Sequence, residues 1–80
     1  MTLTVFRDKL FNLQEQKAFT NEEIRFLNLF DTVEQIYNVL LSGANDSQYF
    51  LIDEIDISII SNHKTEIESI WLKVLNTKVN

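Results

Sequence analysis

The chain has no proline and a single glycine, Gly43, in eighty residues. A sheet of this size turns on such residues, because tight hairpins need positive or preset φ angles. Their scarcity points to an all-α fold, with helices joined by short polar links. Cysteine is absent as well. No disulfide or thiolate-bound zinc can therefore staple so small a core, and no thiol can act as a nucleophile. Extra burial has to come from packing, within the chain or against another one.

Local signals place the helices. In Phe19-Thr20-Asn21-Glu22-Glu23-Ile24, Thr20 can accept from the backbone N–H of Glu23 while the Glu23 side chain returns a bond to the Thr20 amide. Phe19 and Ile24 flank that cap as a hydrophobic staple, and two acids oppose the positive end of the helix dipole. Gly43 follows Leu40-Leu41-Ser42, where a left-handed closing residue belongs. The expectation is one helix over 21–42, central to the fold. On a helical wheel its apolar residues, Leu29 and Leu40 among them, fill an arc of about 140°, too broad for one neighbour. Leu27, Val39 and Ile24 fall outside that arc.

Leu3, Phe6, Leu10 and Leu13 recur at spacings of three and four, which predicts a first helix over 3–17. The short link at 17–20 then predicts an antiparallel hairpin with the second helix. Ile67, Ile70, Trp71, Val74 and Leu75 share a face of a last helix over 63–77, capped by Ser61 or Asn62. The segment 48–60 is ambiguous. Asn45, Asp46 or Ser47 offers a cap for a buried helix over 47–60, the preferred reading. Alternation through Glu54-Ile55-Asp56-Ile57-Ser58-Ile59 fits a strand over 49–60. The expected architecture is a compact bundle of three or four helices in one domain, 1–80, with an α+β arrangement as the alternative.

Charge is unevenly spread. Between Phe26 and His63 there is no Lys or Arg, yet Asp31, Glu34, Asp46, Asp53, Glu54 and Asp56 fall there. The net charge of −5, with pI near 4.6, argues against direct nucleic-acid binding, which draws its affinity from bases on phosphates. No apolar run approaches the roughly 20 residues that span a bilayer, and the first residues lack the basic start and apolar core of a signal peptide. A cytoplasmic protein away from membranes is expected. Nine Ile and eight Asn accord with an AT-rich bacterial or phage genome.

Few residues suggest chemistry. Asp53, Glu54 and Asp56 lack the alternating oxygen ligands and the glycine of a calcium loop. His63 is the one histidine, with no strained nucleophile turn or phosphate-cradling glycine loop to serve. Gly43-Ala44-Asn45-Asp46-Ser47 resembles the Gly-x-Asp-Ser-Leu turn of acyl and peptidyl carrier proteins, which are also small, acidic and helical. That resemblance implies Ser47 as the attachment site for phosphopantetheine, with Asp46 beside it. The chain departs from the motif at Gln48, where the family has Leu, and at Asn45, which is inserted. A simple helix cap accounts for the same letters.

The sequence therefore nominates no catalytic, cofactor or metal residues, and an enzyme is not expected. It nominates a partner surface at Asp46, Tyr49, Phe50, Asp53, Glu54 and Asp56, where carboxylates stand beside large rigid side chains. The expected function is a protein-protein interaction module that inhibits or regulates a partner with a basic surface, of the immunity, antitoxin or phage anti-defence type. A homodimeric structural or regulatory subunit is the alternative.

Overall fold

A computed structural model describes residues 1–45 and 57–78. All regular structure in these residues is helical: α1 (Leu3–Glu15), α2 (Asn21–Leu27), α3 (Val33–Asn45), α4 (Ile57–Asn62) and α5 (Lys64–Asn76). The chain is thus an all-α bundle among the described residues. The described end of the ambiguous segment, residues 57–60, is helix rather than strand. Its remainder, 46–56, lies outside the described residues. No helix among them is long and apolar enough to cross a membrane.

The core runs along a seam between α3 and α5, the most extensive helix pair, with α1 packed on both. Val39 and Leu40 of α3 and Ile67, Ile70 and Val74 of α5 are fully buried, and Phe6 and Leu10 of α1 close the third side. Phe6 meets the Tyr37 ring at 4.9 Å, and the Tyr37 hydroxyl donates to the Met1 carbonyl. The first helix begins on Thr2, whose hydroxyl accepts from the Val5 N–H. The expected α1–α2 hairpin does not form as such. Helix α2 is only seven residues long and docks chiefly on α5.

The helix expected over 21–42 is two helices. The chain leaves α2 at Asn28 and re-enters helix after a second capping box. Gln35 N–H donates to the Thr32 hydroxyl, and the Gln35 side-chain oxygen accepts from the Thr32 and Asp31 amides. This break resets the phase of the apolar stripe. Leu27 and Val39, outside the single-helix arc, are buried, while Leu29, inside it, is 55 % exposed.

Gly43 does not close α3. No glycine has positive φ, and α3 continues through it to Asn45. The residue is glycine because two helices touch there. A Cβ would stand 2.8 Å from Cγ2 of Ile67 and 3.1 Å from its Cδ1. Among the described residues the left-handed position is instead Lys17, at φ 54°. Its N–H donates to the Gln14 carbonyl, and Ala18 N–H donates to the Leu13 carbonyl. That is the Schellman pattern that closes a helix, with lysine in the place usually held by glycine.

Candidate interaction surface

The nominated residues Asp46, Tyr49, Phe50, Asp53, Glu54 and Asp56 lie outside the described residues. Of the acids in the base-free middle stretch, Asp31 and Glu34 are described, and both are exposed. They sit at the α2–α3 link and the first turn of α3, next to exposed Leu29. Neither is in an ion pair among the described residues. Two bases outside the stretch are taken by acids also outside it. Arg25 reaches Glu22 at 3.5 Å, and Lys73 is paired with Glu23.

Glu23 is the one ionisable side chain among the described residues that is fully buried, at 3 % exposure. The sequence identified it as a capping residue, and it is one: its Oε1 accepts from the Thr20 N–H at 2.8 Å, and its own N–H donates to the Thr20 hydroxyl at 3.2 Å. The remaining contacts come from far along the chain. Ser69 Oγ donates to Oε2 at 2.6 Å, and Lys73 Nζ donates to Oε1. Lys73 also donates to the Ala18 carbonyl at 2.9 Å and stands 5.6 Å from the centre of the Phe19 ring. Burial by itself would raise the Glu23 pKa, but hydrogen bonds from Lys73, Ser69 and the Thr20 amide together hold it below the usual carboxylate range. The Ser69–Glu23 hydrogen bond joins α2 to α5.

His63 occupies the N-cap position of α5 without a side-chain capping bond, correcting the expectation that Ser61 or Asn62 caps that helix. Its ring lies 5.2 Å from that of Phe26, and Nδ1 is 3.9 Å from a Glu66 carboxylate oxygen. No three His, Asp or Glu residues converge on a metal-sized site among the described residues. Gly43, Ala44 and Asn45 belong to α3, so the carrier-protein turn is not formed there. Asp46 and Ser47 lie outside the described residues.

Open grooves lie among the described residues. One, of about 450 Å³, lies beside α2: Phe19 and Leu27 are buried beneath it, Ile24 is exposed on its wall, and Gln14, Lys17, Asn21 and Asn28 line it. Another, of about 490 Å³, runs between α1 and α5, lined by Leu13, Ser69, Leu72, Lys73, Asn76 and Thr77. Phe11 of α1 and Leu72 and Leu75 of α5 also face outward, each at least half exposed.

No family model, curated protein or solved structure matches the chain.

Proposed function

We propose that the chain is a protein-protein interaction module that inhibits or regulates a partner with a basic surface, and that it performs no catalysis of its own. One observation carries this reading: six acids and no base occupy the stretch between Phe26 and His63. The Lys73–Glu23 pair supports it, because that base is held by a buried acid outside the stretch. Carboxylates clustered in sequence beside apolar side chains steer a basic surface into contact and then give it something to desolvate against. An inhibitor of the immunity, antitoxin or phage anti-defence type would act in this way by occupying a basic groove on its partner, for example one that binds nucleic acid.

The test is kinetic. Against a partner isolated from the native host, the association rate should fall steeply between low and physiological salt. Asp53→Lys combined with Glu54→Lys should lower it about tenfold or more without moving the melting temperature of the free protein. Association that ignores both salt and charge reversal would remove the reading.

A further inference from the structure

The groove beside α2 draws on one acid of the middle stretch, Asp31, and has features that suit a second copy of the same chain. Lys17 is the one charged residue among those lining it. Asp31, exposed and without an ion pair among the described residues, follows the lining residue Asn28 by three positions. Between them lie two apolar side chains with little cover, Ile24 at 44 % and Leu29 at 55 % exposure. The spacing is close to palindromic. Lys17 and Asp31 each stand seven residues from Ile24, and Asn21 and Asn28 stand three and four residues from it.

A two-fold axis requires a surface that complements itself, residue i meeting j and j meeting i. We propose that two copies pair through this face, α2 against α2 in antiparallel sense about an axis at Ile24. The Lys17 ammonium of each copy then meets the Asp31 carboxylate of the other. Asn21 faces Asn28, amide to amide, and the two Ile24 side chains touch at the centre.

The backbone of Lys17 adds a second, independent argument. At φ 54° a residue with a Cβ costs about 1 kcal/mol that glycine would not, and the Schellman position it fills is the one that favours glycine most. A lysine kept there at a cost to the fold is explained if its ammonium has a use at the groove. Helix α2 is two turns long, or about 10 Å, so the interface is small and the dimer weak, with a dissociation constant on the order of 100 µM.

Sedimentation equilibrium and NMR line widths from about 10 µM to 1 mM test this. The wild-type chain should shift from monomer to dimer across that range, and Ile24→Asp should stay monomeric throughout. Lys17→Asp and Asp31→Lys should each weaken pairing about tenfold, and the two together should restore it to within about threefold of wild type. Lys17→Gly should separate the roles of that residue, raising the melting temperature while weakening the dimer. A wild-type chain monomeric at 1 mM overturns the proposal. So does a dimer indifferent to Ile24→Asp, or a double charge swap no better than either single change.

Discussion

Helix α5 is held from two sides by opposite means. Against α2 the contact is polar: Glu23 is buried, and both its oxygens are occupied by donors from Thr20, Ser69 and Lys73. Against α3 the contact is one of shape: Gly43 lets Ile67 approach so closely that a methyl group would not fit. Beside Gly43, the fully buried Ser42 hydroxyl has no hydrogen-bond partner among the described residues. One junction is thus specified by complete satisfaction of a charge. The other is specified by fit and carries an orphaned hydroxyl on the helix that makes it. A buried carboxylate holds its helices together only while every partner is present, whereas an apolar seam absorbs a small polar misfit at a modest cost.

The contrast can be broken most forcefully at Glu23. Glu23→Ala removes the capping box, strips Ser69 and the Thr20 amide of their acceptor and leaves Lys73 with the Ala18 carbonyl alone. The loss should be about 3 kcal/mol, seen as a drop of more than about 10 °C in melting temperature. A loss under 1 kcal/mol would mean that the polar junction is incidental. Gly43→Ala is the corresponding test of the seam. Crowding against Ile67 should outweigh the better helix propensity of alanine, for a net loss of about 1 to 2 kcal/mol by chemical denaturation. A gain there would show that the two helices can part without cost.

Ser42→Ala is expected to run the other way. Removing an unsatisfied hydroxyl should stabilise the fold by about 1 kcal/mol, and an unchanged or lower denaturation midpoint would point to a partner for Ser42. The smallest effect is expected from pH. Because the folded pKa of Glu23 lies below its unfolded value, its contribution is complete above the ordinary glutamate range near pH 4.3. That contribution is lost as pH falls through the depressed value. Glu23→Gln should flatten this part of the acid unfolding curve, and an unaltered curve would assign the acid sensitivity to other carboxylates.

What was legible in the sequence was mostly what is local. The capping box at Thr20 and Glu23 needs four consecutive positions and was found in them, and the apolar faces of α1 and α5 follow largely from spacings of three and four, except that Leu75, expected on the inner face of α5, is half exposed. The long-range half of the Glu23 site was not, since nothing in Ser69 or Lys73 marks them as partners of a residue some fifty positions earlier. The split of the second helix had a local signal in Thr32-Val33-Glu34-Gln35. A long apolar periodicity masked it, and Leu29 was placed on the inner face as a result. Gly43 shows the limit from another side: a glycine at the end of an apolar run marks either a helix terminus or a close helix contact, and only the neighbour, Ile67, decides between them.

The Glu23 junction also constrains the order in which the molecule can be made. During synthesis the first helices emerge with a carboxylate whose burial depends on Lys73, still unmade. Until that lysine arrives, the early segment gains nothing by closing over Glu23 and keeps it hydrated. The Thr20 cap of α2 can form locally at once, but the burial of Glu23 waits for Ser69 and Lys73 of α5.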